Sequence, residues 1–155
     1  MTRKKFNGFA KDNTDTQFHF SEKFAIEFGV KEAIILNNLQ FWIITNIANR
    51  KNFYEGRTWT YNSVRAWLDI FKFYSAKEIR GALQRLVERG VLRKGNFNKN
   101  QYDRTAWYAF ENEFLFIDIE RIKTRNMFEN YELDPVTKGQ MEDYERANRN
   151  WQKGK

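Results

Sequence analysis

Net positive charge is concentrated in the middle third of the sequence, between positions 57 and 110. This stretch has 11 Lys or Arg and 4 Asp or Glu, a balance of +7, whereas residues 1–56 sum to +2 and residues 111–155 to −2. Lysine and arginine bind phosphate groups, and arginine and glutamine also match the hydrogen-bonding edges of guanine and adenine. The local excess therefore favours a polyanionic partner over a charged surface that serves only solubility.

Three of these side chains recur on one face of a predicted helix. Lys77, Arg80 and Gln84 lie opposite the apolar positions of residues 75–89, so we predict that they read base edges in double-stranded DNA. Arg85 lies further round the helix and is assigned to a phosphate group. Gly81 lowers helix stability by about 1 kcal/mol relative to alanine. On an outward face this glycine either admits a DNA backbone or has no role.

The start of this helix has the strongest local signal in the sequence. Ser75 and Glu78 have the spacing of a capping box, and Tyr74 and Ile79 have the spacing of a hydrophobic staple. Gly90 is expected to end the helix. Because free amides at a helix N-terminus bind phosphate, Ser75 joins the candidate DNA-binding residues.

A polar hairpin is predicted after this helix, with strands at Val91 to Lys94 and Arg104 to Phe110. A hairpin with a basic tip can lie on a DNA backbone or in a minor groove. The tip contributes three further candidate DNA-binding residues, Asn98, Lys99 and Asn100. On the helix before, which Asn62 is expected to cap, Arg65 is a candidate phosphate clamp.

The remaining elements complete one architecture. Residues 1–17 are predicted to be a flexible arm, and helices follow from Ser21 to Gly29 and from Lys31 to Asn49. A strand at 57–61 and a helix to Ile70 lead to the capped helix. This order predicts a mainly α domain with a small β-hairpin, of the winged helix-turn-helix type, over residues 18–110. Residues 111–155 are expected to be a partly helical extension, in which Phe114 to Ile119 docks on the domain and Pro135 opens a charged helix.

The helix predicted at 31–49 has apolar residues on more than one side, which is typical of a central helix or of one that also meets another subunit. We therefore expect that a homodimer through this helix is possible, since many helix-turn-helix proteins bind paired half-sites. One stripe consists of Ile34, Ile35, Asn38 and Trp42, and the other of Leu36, Leu39, Ile43 and Ile47.

Six segments of the chain resemble those of a known family. They are KEAIILNNLQFW (31–42), GRTWTYN (56–62), SAKEIR (75–80), LVERGVL (86–92), GNFNK (95–99) and DRTAWY (103–108). The pattern is similar to the N-terminal winged-helix domain of phage, plasmid and bacterial replication proteins, namely replisome-organiser and DnaD-type initiation proteins, and covers about residues 20–110. The resemblance implies a DNA-binding role in replication initiation or regulation. Family members usually carry a further helical region that engages single-stranded DNA or helicase-loading partners; about 45 residues follow here, so a stand-alone DNA-binding protein is expected.

Several classes of function are disfavoured by composition. The chain has no cysteine, which excludes disulfides, zinc fingers, iron–sulfur clusters and thiol catalysis and fits a reducing cytoplasm. His19 is the one histidine and has no metal partner close in sequence. No phosphate-binding glycine loop and no nucleophile–base pair is visible, so we expect no enzyme, cofactor or metal. No segment is apolar enough to suggest a signal peptide or a membrane span.

Two alternatives stay open. Winged helices also serve as protein-interaction modules, for example in phage proteins that modulate host machinery, and others are transcriptional regulators; the acidic, aromatic extension after residue 110 would suit a protein partner from replication or the host. A second alternative concerns the aromatic residues, which could stack on single-stranded bases. Their positions on alternating strands and an inner helix face favour core packing for Trp59, Trp67, Trp107 and Tyr108.

Overall fold

The computed structural model describes residues 3–9, 15–129 and the isolated positions 139, 142, 143, 146 and 149. Within this part of the chain the architecture is mixed α+β. The helices are α1 (Glu22–Phe28), α2 (Val30–Ala48), α3 (Val64–Ile70), α4 (Ala76–Glu88) and α5 (Ile119–Glu129). The strands are β1 (Phe53–Tyr54), β2 (Arg57–Thr58), β3 (Thr60–Asn62), β4 (Leu92–Gly95) and β5 (Ala106–Phe110).

The helix ends follow the capping residues, with one exception. The Ser21 hydroxyl accepts from the backbone N–H of Phe24, and Gly29 separates α1 from α2 at a φ of 101°, both as predicted. The prediction that Asn62 caps α3 is wrong. Asn62 is instead the last residue of β3, and the Ser63 hydroxyl accepts from Ala66 at 3.1 Å.

The predicted capping box of α4 is confirmed. The Ser75 N–H donates to the Glu78 carboxylate at 3.2 Å, and the Glu78 N–H donates to the Ser75 hydroxyl at 3.1 Å. At the other end Arg89 caps the helix, and Gly90 takes a φ of 71° that a side chain would strain.

The single strand predicted at 57–61 is two strands. Strand β2 pairs with β1, whereas β3 pairs with β5, and both pairings are antiparallel. The change of partner occurs at Trp59, whose backbone N–H donates to the Asn52 carbonyl at 2.8 Å. Local β propensity could not reveal this, because the break depends on partners elsewhere in the chain.

The main sheet has the strand order β3-β5-β4. Asn62 pairs with Ala106, and Lys94 pairs with Tyr108, so these residues share one face of the sheet. The neighbouring positions, including Trp107, point to the opposite face. Residues 96–105 connect β4 to β5 and form the predicted hairpin loop.

Two clusters of buried side chains lie on the two faces of this sheet. The larger one joins α2, α3, α4 and the sheet through residues such as Leu39, Trp67, Leu86 and Phe110. The smaller one contains Trp59, Trp107 and Ala109, with Phe97 packed against it. The predicted packing of Trp59, Trp67, Trp107 and Tyr108 in the core is therefore confirmed, since each is less than a tenth exposed.

The core continues beyond residue 110. Phe114, Ile117 and Ile122 belong to the larger cluster, which agrees with the expected docking of this segment. Arg125 on α5 is buried against Glu113, with Nη1 2.6 Å and Nη2 2.8 Å from the two carboxylate oxygens. The helix predicted from Pro135 lies outside the described residues, apart from isolated positions, and the predicted arm is described only at 3–9 and 15–17, where it is exposed.

Candidate nucleic-acid interface

Polar contacts fix α4 against the start of α2. The Lys31 ammonium lies 2.7 Å from the Glu78 carboxylate, and Arg85 lies 2.6 Å from the buried carboxylate of Glu32. The Tyr74 hydroxyl donates to the Lys31 carbonyl at 3.0 Å. Burial first, and then the charges of Glu32 and Glu78, raise the pKa of Tyr74 to about 12. Helix α4 is thus held at its N-terminus and near its middle, which leaves its other face to solvent.

A groove of about 880 Å³ runs along that face, between α3 and α4 on one side and the β4–β5 hairpin on the other. Lys77 and Arg80 line it from α4, and Gly81 and Gln84 lie beside them. The hairpin contributes Lys94 on β4 and, from the loop before β5, Asp103, Arg104 and Thr105. The groove therefore has basic side chains on both walls.

These four basic groups differ from their neighbours in having no acidic partner. Among the residues that the structure describes, none of Lys77, Arg80, Lys94 and Arg104 forms an ion pair with a carboxylate. Four other arginines of the same third of the sequence do: Arg57 and Arg93 contact Glu111, Arg85 contacts Glu32, and Arg89 contacts Glu27. Seven of the eleven basic residues at 57–110 thus have no carboxylate partner among the described residues; four of them line the groove, and Arg65, Lys72 and Lys99 are exposed elsewhere.

One carboxylate lines the groove, that of Asp103, and it accepts a hydrogen bond within its own loop. Asp103 accepts from the Thr105 backbone N–H at 2.9 Å, and this bond lowers the pKa of the Asp103 carboxyl below its usual value. The group is therefore ionised at neutral pH. Four cations and one anion leave a local charge of about +3, which favours an anionic ligand.

The Arg85 side chain forms an ion pair with a residue of α2. Its Nε and Nη2 atoms both lie 2.6 Å from one carboxylate oxygen of Glu32, which is only 5% exposed. A Cβ added at Gly81 would lie 3.1 Å from the Arg85 guanidinium, so the glycine leaves room for this arginine to cross the helix surface. Arg85 thus positions α4, a role that its helical spacing did not reveal.

The three residues predicted at the hairpin tip differ in their contacts: Asn98 and Asn100 form side-chain hydrogen bonds within the loop, whereas Lys99 forms none with the described residues. The Asn98 amide donates to the carbonyls of Asp103 and Thr105 at 3.0 and 2.8 Å, and its oxygen accepts from the Trp107 indole at 2.7 Å. Asn98 therefore shapes the loop. Asn100 also bonds within the loop, to the Tyr102 backbone N–H, whereas the Lys99 side chain is exposed.

The structure brings together part of the predicted site. Lys77, Arg80, Gly81 and Gln84 line the groove, and the Gln84 amide donates to Glu88 at 3.0 Å. Six others are not among the groove-lining residues: Arg65, Ser75, Arg85, Asn98, Lys99 and Asn100. Of these, Arg65 is exposed on α3, and Ser75 is engaged in the capping box.

Two groove cations, Lys94 and Arg104, were counted in the charge balance but not proposed as site residues. Lys94 lies two positions after the buried Leu92, so strand alternation places both on the face that meets α4. That signal was available in the sequence. Arg104 precedes β5 and reaches the groove through the loop, which sequence periodicity does not predict.

A second cavity, of about 420 Å³, lies between the end of α2 and α5. Its lining mixes Arg50 and Arg121 with Asp118 and Glu120, so it lacks the large excess of positive charge found in the groove. Within the described residues there is no cluster of three or more His, Cys, Asp or Glu that could hold a metal ion. No helix in the same part of the chain is both long and apolar enough to traverse a membrane.

No family model, curated protein or solved structure matches the chain. The functional argument therefore rests on the groove, on the helix and hairpin that form it, and on the resemblance carried by the sequence segments.

Proposed function

We propose that the protein is a double-stranded DNA-binding protein of the winged helix-turn-helix type, in which α4 is the recognition helix and the β4–β5 hairpin is the wing. The observation that carries this proposal is the groove between them, where Lys77, Arg80, Lys94 and Arg104 have no carboxylate partner in the part of the chain that the structure describes. A groove with both walls basic suits a chain of phosphates better than a small anion.

The two walls suit different parts of a duplex. A helix with its side chains is about 10–12 Å wide, close to the width of the major groove, so the exposed face of α4 can enter it. Arg80 and Gln84 then face base edges, with guanine and adenine as their preferred partners. The backbone bordering that major groove would run between the helix and the hairpin, where Lys94 and Arg104 contact phosphates.

Gln84 needs one rearrangement for this role. Its amide donates to Glu88, and both side chains are exposed. An exposed hydrogen bond of this kind contributes about 1 kcal/mol or less to stability, so replacing it with a bond to adenine costs little free energy. Glu88 also gives Gln84 a defined orientation before DNA binds.

The replication context of the proposal rests on the sequence resemblance to replisome-organiser and DnaD-type initiation proteins. We propose a role in initiation or regulation, in a reducing cytoplasm that suits a cysteine-free chain. A replication or host protein partner for residues 111–155 belongs to the same proposal, because this part is acidic while the groove is basic.

Fluorescence anisotropy with a labelled random duplex, single-stranded DNA and RNA tests the proposal across a salt series. Phosphate contacts from Lys94, Lys99 and Arg104 predict a log–log salt slope of about −3 for the duplex, since each contributes about −0.9. Changing Lys94→Gln together with Arg104→Gln should reduce the slope by about two and weaken all sequences alike. The matched control is Arg121→Gln, an exposed charge on α5 outside the groove, which should leave the slope unchanged.

Base reading requires a second measurement once a preferred site is selected from random duplexes. Arg80→Ala should lower discrimination by roughly 1–3 kcal/mol at one base pair, whereas Lys99→Ala should lower affinity evenly. Absence of duplex binding at about 50 mM salt, or binding that is insensitive to salt, contradicts the proposal. In that case the protein-interaction module becomes the leading hypothesis.

A further inference from the structure

The solvent-facing side of α2 is unusual for its lack of charge. Charged residues make up 30% of the chain, yet none occurs from Ala33 to Asn49, which covers most of this helix. Two large side chains on it are open to solvent, Phe41 at 59% and Trp42 at 41% exposure. An uncharged surface with exposed aromatic groups is typical of an interface rather than of a freely solvated helix.

Helical geometry gathers these groups into one stripe. Leu36, Leu39 and Ile43 are fully buried, which fixes the inner face of α2. At 3.6 residues per turn, a line of positions lies on the opposite side. We define this line as the α2 stripe, and its members are all partly or fully exposed: Ile34, Asn37, Phe41, Thr45 and Ala48.

We propose that the α2 stripe pairs two copies of this chain, with the helices antiparallel and the two-fold axis at Phe41. In such a pair the residue n positions after Phe41 faces the residue n positions before it in the second copy. Phe41 then meets Phe41, Asn37 meets Thr45, and Ile34 meets Ala48.

The facing residues are chemically complementary. The Thr45 hydroxyl donates to the Phe41 carbonyl within its own helix at 2.8 Å, so its oxygen remains able to accept a bond from the Asn37 amide of the second copy. The large Ile34 side chain faces the small Ala48, which allows the helix ends to approach. The central Phe41 pair supplies the aromatic contact that anchors many interfaces.

Charge favours a second copy over a nucleic acid as the occupant. The stripe has no cation, so it offers nothing to a phosphate backbone. The chain carries +7, and two copies repel each other least where they meet through surfaces without charge. The α2 stripe satisfies this condition, and it leaves the residues of the groove on α3, α4 and the hairpin available.

The size of the stripe predicts a weak dimer. Helix α2 has 19 residues, so at 1.5 Å per residue and a width of about 10 Å it covers roughly 300 Å² per copy. Stable complexes bury about 800 Å² per partner. We therefore expect self-association at roughly 100 µM rather than at nanomolar concentration.

The absence of cysteine allows the register to be tested by disulfide crosslinking. Packed helices lie about 8–10 Å apart and have a Cα radius of about 2.3 Å, so facing Cα atoms are about 3.4–5.4 Å apart, and the upper part of this range is within reach of a disulfide. An equimolar mixture of the full-length Asn37→Cys and Thr45→Cys variants should form covalent dimers about tenfold faster under mild oxidation than either variant alone. A mixture of Asn37→Cys with Tyr102→Cys, an exposed position on the hairpin loop, is the collision control.

Sedimentation equilibrium up to about 500 µM gives the second measurement. Phe41→Glu should abolish the dimer, and Tyr102→Glu, which adds the same charge elsewhere, should not; circular dichroism confirms that both remain folded. Three results overturn the proposal: a monomeric wild-type chain at all concentrations, Asn37→Cys crosslinking alone as fast as in the mixture, or a Phe41→Glu variant that still dimerises. A wild-type monomer would leave another part of the chain or a different protein as the occupant of the stripe.

Discussion

Replacing Arg125 by methionine removes the most deeply buried cation among the described residues. The Arg125 side chain is 2% exposed and its partner Glu113 is 6% exposed. Their bidentate contact is accompanied by a bond from Arg125 to the Thr58 hydroxyl at 2.9 Å. In Arg125→Met the Glu113 carboxylate keeps its burial and loses its cation, and breaking a buried pair in this way costs about 3–5 kcal/mol.

Urea denaturation followed by tryptophan fluorescence measures this loss. Domains of this size have a net stability of about 5–15 kcal/mol, so the change should remove about a fifth of it or more. The melting temperature should fall by roughly 6–20 °C, at 2–4 °C per kcal/mol for a chain of this length. The control is Arg121→Met on the exposed side of the same helix, which should stay within about 0.5 kcal/mol of the wild type.

A double variant separates the charge effect from simple loss of packing. Glu113→Leu combined with Arg125→Met should recover most of the stability, because apolar groups can replace a buried ion pair at little cost. The reasoning is refuted if Arg125→Met is as stable as the wild type, or if the double variant is less stable than Arg125→Met alone. Either result would mean that α5 does not depend on this pair for its attachment to β2 and the core.

Two further predictions concern α4 and its support. Since the neutral form of Tyr74 is favoured in the folded state up to a pKa of about 12, the free energy of unfolding should fall as pH rises from 10 toward 12. Tyr74→Phe should lose about 1 kcal/mol at pH 7 with its bond to the Lys31 carbonyl, and urea titrations at pH 8 and pH 11 should show a smaller alkaline loss than in the wild type. Gly81→Ala should change the free energy of unfolding by no more than about 1 kcal/mol, because the higher helix propensity of alanine is opposed by displacement of the Arg85 guanidinium that contacts Glu32. The same variant should bind duplex DNA more weakly, and an unchanged affinity would show that no DNA backbone approaches Gly81.

The elements that could be predicted from sequence are those whose signals are local. The capping box at Ser75 and Glu78 involves residues three positions apart, so its two hydrogen bonds are encoded within one turn. The same holds for Ser21 at the start of α1. Burial of Trp59, Trp67 and Trp107 was predictable because their strand and helix positions face inward by periodicity.

The features that escaped prediction depend on partners distant in the chain. Arg85 contacts Glu32, 53 positions away, and Arg125 contacts Thr58, 67 positions away. On a helical wheel, Arg80 and Arg85 are both exposed cations at different positions round the helix, and nothing within the helix indicates that Arg85 contacts a buried carboxylate. The fold alone decides that one is held by a buried carboxylate while the other lines the groove.

Some cations of the middle third are paired with carboxylates and others line the groove, and this distribution favours a polyanionic partner. If the basic residues of the middle third served only solubility, those without carboxylate partners would be expected to scatter over the surface. Four of the seven that have no such partner among the described residues, Lys77, Arg80, Lys94 and Arg104, come from two separate elements and line one groove. Gathering like charges there disfavours the free protein, and the phosphates of a bound duplex would offset that repulsion.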